Sequence, residues 1–223
     1  MTGVINLYGK FKEQLKEEQS KVAPLQLLGR MEDFFTKEFA SLTLVESTGK
    51  VLPLTNFGRK ADGRRIDMVL VQGDLSQVLD RKSEYRPTIS ALIELKYVRN
   101  RHRFGYNSAE DEIATTFKDL SDQLGRMRRR KYADYQVKLR SSKGEIYGLI
   151  LVSYVRRQHE KDTAENFRKR VLGKAVAFEA YNFKPPRLAI IYKDCPVTVL
   201  NGEFRVSLSA GLWRLRESAP ANK

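Results

Sequence analysis

A chain of 223 residues with 41% hydrophobic and 30% charged residues has enough apolar material for one domain of ordinary size, which excludes wholesale disorder. Its single cysteine, Cys195, excludes an internal disulfide and a cysteine-based zinc cluster, and no apolar run approaches the roughly 20 residues a membrane-spanning helix requires. Lys and Arg number 41 against 27 Asp and Glu, leaving a formal charge of +14, a balance that attracts polyanions, nucleic acid first among them. Residues 5–21 read as a polar, charged helix, and Pro24 suits the first turn of a second one. From Leu25 to about Leu42, apolar residues recur at Leu28, Met31, Phe35, Phe39 and Leu42 with a helical period, so this helix packs on something. Glu32 and Glu38 flank its stripe, Glu38 nearer the centre by helical-wheel angle.

Beyond Gly49, residues 51–57 and 64–72 read as strands joined by a glycine-containing turn, and residues 73–88 as a polar connection. Ile89 to Val98 is apolar on both faces and therefore expected in the middle of a sheet. Residues 99–110 form a basic and aromatic loop, and 111–139 are helical in composition. Tyr147 to Val155 is a second buried strand, Thr163 to Phe178 a charged helix, and 186–216 hold two or three further strands. This order implies an α/β (α+β) domain with a mixed sheet, residues 1–24 being an N-terminal helical extension and 25–223 a single domain. The opening stretch lacks the apolar core of a secretory signal, so the expected compartment is the cytoplasm, or the nucleoid if the chain is bacterial.

Three charges interrupt two of these apolar strands. Alternation along Ala91–Tyr97 points Glu94 and Lys96 to one face, roughly 7 Å apart, and Asp67 breaks the run Ile66–Leu70. A buried charge costs several kcal/mol unless it is paired or bound to metal. One reading is a structural ion pair of Lys96 with Asp67 or Glu94. The other is a bound cation, because pairing leaves one net negative charge over. Two carboxylates plus the Leu95 main-chain carbonyl suit magnesium, with water and a phosphate oxygen filling the remaining positions. Such an ion polarises a phosphate and lowers the pKa of a water held for in-line attack. Lys96 would orient or activate that water and offset charge on the pentacovalent transition state.

Asp67 followed on the next strand by Glu94-Leu95-Lys96 resembles the D…(D/E)-x-K signature of the PD-(D/E)xK nuclease superfamily. The resemblance covers about residues 25–155: a packed helix, the lead-in Gly63-Arg64-Arg65-Ile66-Asp67, the Glu94-Leu95-Lys96 strand, a basic helix carrying Gln123, and the strand Gly148–Val155. Ile66 stands where the family has proline, 27 residues separate Asp67 from Glu94, and Met127 rather than a tyrosine follows four residues after Gln123. The resemblance implies a restriction-endonuclease-like core, Asp67, Glu94 and the Leu95 carbonyl as ligands of Mg2+ or Mn2+, and Lys96 as the catalytic lysine. It also implies that Gln123 holds the attacking water or a phosphate. Many members add a glutamate from the first helix as a further metal ligand; Glu38 is the first choice and Glu32 the substitute, and either is equally readable as a solvated helix glutamate.

Basic residues cluster around this constellation. Arg126, Arg128, Arg129, Arg130 and Lys131 follow Gln123; Arg99, Arg101 and Arg103 follow the Glu94 strand, with His102, Phe104 and Tyr106 among them; Arg59, Lys60, Arg64 and Arg65 precede Asp67. Taken singly, each cluster is a solvated charged face; their shared proximity to one site points to phosphate tracking toward it. Arg156, Arg157, Arg168, Lys169 and Arg170 form a fourth basic region. The expected activity is a metal-dependent endonuclease acting on DNA rather than RNA, in restriction or phage defence, mobile-element processing or repair. Double-strand cutting favours a homodimer, and any motor is a partner ATPase or other subunit, since the sequence has no NTP-binding motif. Two alternatives stand beside it: a non-catalytic nucleic-acid-binding module, and an RNA-processing subunit on the same fold.

Overall fold

Val4, Leu7, Phe11 and Leu15, spaced three and four apart, are all buried, and they make the first helix, α1 (Val4–Glu17), amphipathic rather than uniformly polar. The computed structural model describes residues 3–28, 31–57, 66–72, 88–100, 115–116, 118–120, 122, 145–157, 160–161, 163–176, 188–199 and 202–214. Pro24 does not open a helix. It lies in the last turn of α2 (Gln19–Leu25), which tightens into a 3₁₀ turn at Gln26–Leu28. The next helix, α3 (Glu32–Glu46), begins later than Leu25, with Glu32 and Asp33 in a first turn whose exposed N–H groups favour acidic side chains.

Phe11 meets Phe35 and Phe39 of α3 edge-on, with ring centroids 6.5 and 5.1 Å apart. Tyr8 of α1 donates its hydroxyl to the Ala210 carbonyl at 2.9 Å. The helices α1 and α2 share one core with the sheet and α3 through Val4, Leu7, Phe11, Leu15, Val22 and Ala23.

That core lies on a mixed six-stranded sheet built from β1 (Val51–Phe57), β2 (Ile66–Gln72), β3 (Thr88–Arg99), β4 (Glu145–Arg157), β5 (Ala189–Val199) and β6 (Gly202–Arg214), in the spatial order β1-β2-β3-β4-β6-β5. Neighbours are antiparallel except β3 and β4, which run parallel and so require a crossover, supplied by the segment 100–144. The described residues within 115–122 are helical, and Leu120 is buried against the sheet. The rest of the expected 111–139 helix lies outside the described residues. Among the described residues the final segment holds two long strands, β5 and β6. β5 passes through a ladder irregularity between Tyr192 and Cys195, where Asp194 takes a left-handed φ of 50°.

Helices cover both faces. On one, Leu7, Phe11, Phe35 and Phe39 pack on Met68, Leu70, Ile93, Leu95 and Tyr97. On the other, Phe167 and Val171 of α4 (Ala164–Val176) pack with Val69, Leu92, Val98, Ile150 and Tyr154. β3 is thus buried on both sides in the sheet interior, as its continuous apolar run demands. Among the described residues no helix is long and apolar enough to cross a membrane.

Candidate active site

β2 pairs with β3 through Val69↔Leu92 and Met68↔Ile93, and the next residue on each strand past that last pair is Asp67 on β2 and Glu94 on β3. Alternation from Leu92 and Val98 puts Glu94 and Lys96 on the face that carries α4, and Asp67 lies close enough to act electrostatically on both. The Leu95 main-chain N–H donates to Asp67 Oδ2 at 2.8 Å, so a side chain of β2 takes a donor on the β3 edge where β2, as described, begins. Two residues on, the Tyr97 N–H donates to Glu32 Oε1 at 3.3 Å. Two carboxylates therefore accept successive edge donors of β3, the work a continuing strand would otherwise do. Lys96 Nζ sits among them, 2.9 Å from Glu94 Oε1 and 3.9 Å from Glu32 Oε1.

The cluster opens in steps from the interior to water: the side chains of Glu94, Lys96 and Glu32 are 1%, 15% and 42% exposed. Glu94 Oε2 is buried and has no hydrogen-bond partner among the described residues. Burial, and then the neighbouring Asp67, push the Glu94 carboxyl up to about 8, against the pull of Lys96. Burial also raises Asp67, opposed by Lys96, the Leu95 N–H and the adjacent Glu94 carboxyl, while Asp33 adds to the rise. For Lys96, burial works against the charge, but Glu94, Asp67 and Glu32 outweigh it and hold the ammonium above its ordinary value. Three carboxyl groups, the innermost holding its proton up to about pH 8, face one ammonium, and that innermost group has an oxygen without a hydrogen-bond partner among the described residues.

Among the described residues no group of three or more His, Cys, Asp or Glu side chains is gathered closely enough to hold a metal ion by itself. The donor set that does converge, Asp67 and Glu94 beside the Leu95 main chain, fits magnesium or manganese, ions that bind through one or two carboxylates and keep their other positions for water and phosphate. The orphaned Glu94 Oε2 is an observation a cation would satisfy.

Asp67, Glu94, Lys96 and the Leu95 main chain are thus brought together. Glu38 is not with them: it accepts from Gln14 Nε2 of α1 at 3.1 Å, and the α3 carboxylate that reaches Lys96 is Glu32. Wheel angle favours Glu38, but position along the axis decides, because the first turn of α3, not its middle, abuts the end of β3. Asp33, which the sequence did not single out, also acts on Asp67, and its only sequence signal is its place in that acidic first turn. Arg99 donates to the Gln26 carbonyl at 3.4 Å, beside the 3₁₀ turn. Arg64, Arg65, Arg101, Arg103, Gln123, Arg126, Arg128, Arg129, Arg130 and Lys131 lie outside the described residues. No protein-family model, curated protein or solved structure matches the chain.

Proposed function

We propose that this chain is a divalent-metal-dependent nuclease that hydrolyses phosphodiester bonds, in DNA rather than RNA, with Asp67 and Glu94 holding the ion and Lys96 as the catalytic lysine. One observation carries the reading: a buried, half-satisfied carboxylate and a second carboxylate on the adjacent strand both act on one lysine, next to a solvent-reachable edge. The succession α3-β1-β2-β3 followed by a parallel β4 supports a restriction-endonuclease-like core. The +14 formal charge supports a polyanionic substrate.

A bound magnesium or manganese ion supplies Lewis acidity toward the phosphate and a water of lowered pKa. The protein groups do the positioning. Asp67, tied to the Leu95 N–H, is held in one orientation at the start of β2. Lys96, surrounded by carboxylates, stays cationic, so it acts by donating to phosphate oxygen and stabilising developing negative charge. Glu32 steadies Lys96 from the solvent side while holding the Tyr97 N–H. Restriction, phage defence, mobile-element processing and repair are settings for such an enzyme.

The test is cleavage of supercoiled plasmid and of single-stranded, duplex and RNA oligonucleotides in Mg2+ or Mn2+, with EDTA as control. Cleavage by the parent, abolished in Asp67→Asn and Lys96→Met with the fold retained, is the expected outcome. Undiminished cleavage by Asp67→Asn removes the mechanism. Binding without cleavage by the parent leaves a basic nucleic-acid-binding module in which the Glu94–Lys96 pair is structural.

A further inference from the structure

Three described residues other than glycine have a left-handed main chain: Thr48, Asn56 and Asp194. Two have local explanations. Thr48 lies in the turn between α3 and β1, and Asp194 sits at the irregularity of β5, its N–H held by Ser207 Oγ at 2.9 Å. Asn56, with φ 52°, has neither. It lies inside the edge strand β1, and the pairs on either side of it, Thr55↔Met68 and Phe57↔Ile66, keep one register, so no inserted residue accounts for the twist. That register places Asn56 directly across from Asp67, and Asn56 is exposed.

We propose that Asn56 is a substrate-contacting residue of the Asp67–Glu94–Lys96 site, its left-handed main chain turning the amide out of the ladder to donate to a nucleic-acid phosphate beside Asp67. The proposal rests on the nuclease reading and extends it by one residue. Glycine would adopt this conformation at lower cost, so a position that keeps a side chain here has a use for it. The type of side chain fits as well. A lysine or arginine across from Asp67 would pair with that carboxylate and compete with the cation it is to hold, whereas an amide offers two N–H donors without carrying charge. Asparagine is also the side chain that tolerates the left-handed region best after glycine.

The experiment uses a fluorescein-labelled DNA duplex, with binding read by anisotropy in Ca2+ and cleavage read in Mg2+, for the parent, Asn56→Gly, Asn56→Asp and Asp67→Asn. Asn56→Gly preserves the backbone and deletes the amide, so the expected result is an unchanged or higher melting temperature with binding weakened roughly fivefold. Asn56→Asp keeps tolerance of the left-handed region but sets a carboxylate against phosphate, and it is expected to bind more weakly still. Parental binding and cleavage by Asn56→Gly would overturn the proposal and leave Asn56 a backbone device. If the glycine variant fails to fold, parental binding by Asn56→Asp overturns it equally. Asp67→Asn judges the nuclease reading separately: if it still cleaves, that reading falls while the binding result for Asn56 stands on its own.

Discussion

Lys96 is joined to Glu94 Oε1 at 2.9 Å, while Oε2 of the same carboxylate lies buried with no hydrogen-bond partner among the described residues. Glu94 is therefore only half compensated, and burial and Asp67 raise it to about 8, from an ordinary value of 4.5. Between those limits the folded chain keeps a proton that the unfolded chain has released. Stability consequently falls as pH rises through that window, with a slope of at most about 1.4 kcal/mol per pH unit. Asp67, also raised by burial, contributes with the same sign. Lys96, raised instead of lowered, contributes stability that is fully present below its unfolded value of 10.5, so it leaves the slope in this window untouched. Denaturant midpoints in EDTA are expected to decline from about pH 5 to about pH 8 in the parent and to flatten in Glu94→Gln. A parental midpoint that climbs over this range would refute a neutral, buried Glu94.

A divalent ion reverses that balance, because it favours the ionised form of both carboxylates and displaces the proton. Mn2+ or Mg2+ at a hundred times its Kd is expected to stabilise the parent by about 2.7 kcal/mol, a rise of several degrees in melting temperature that EDTA removes. Asp67→Asn and Glu94→Gln should each lose most of the rise. An equal rise in both variants places the ion elsewhere on the protein.

The strands were legible because sheet burial writes itself into sequence as apolar runs. Ile89–Val98, apolar on both faces, could only be interior, and the charges at Glu94 and Lys96 stood out against it. Helix placement was less legible. Pro24 fits a first turn as well as a last one, and the apolar stripe through Leu28 ran past the true start of α3, since Leu28 lies exposed in the 3₁₀ turn. α1 looked polar because its lysines and glutamates outnumber the four side chains it buries. Glu32 could not be preferred over Glu38 without knowing which end of α3 meets β3, a tertiary relationship that helical periodicity does not encode.

Those two glutamates give a paired test. Glu38→Gln preserves a side chain able to hydrogen-bond Gln14 and lies away from Lys96, so cleavage should stay within about twofold of the parent. Glu32→Gln keeps an acceptor for the Tyr97 N–H but loses the charge facing Lys96, and cleavage is expected to fall by about tenfold. Steady-state rates on one duplex substrate decide between them. A larger loss in Glu38→Gln would return the α3 role to Glu38.

Phe11 links the N-terminal helix to the site through a chain of rings. It is fully buried, it meets Phe35 and Phe39 edge-on, and Phe35 in turn lies 5.7 Å from the ring of Tyr97, whose main-chain N–H is the donor to Glu32. Phe11→Ala should cost about 3–5 kcal/mol, lowering the melting temperature by roughly 6–20 °C for a chain of this length. Phe11→Leu should recover part of that loss, since it refills most of the cavity but not the edge-to-face contacts. The variant also tests whether α3 is set on β3 from behind. Well below its melting point, Phe11→Ala should lower cleavage more than a core substitution remote from Tyr97 of similar cost, such as Leu52→Ala at the start of β1 opposite Val71. A change of less than about a degree on removing the Phe11 ring would instead make α1 a loosely attached helix, and the site would then owe nothing to the first 24 residues.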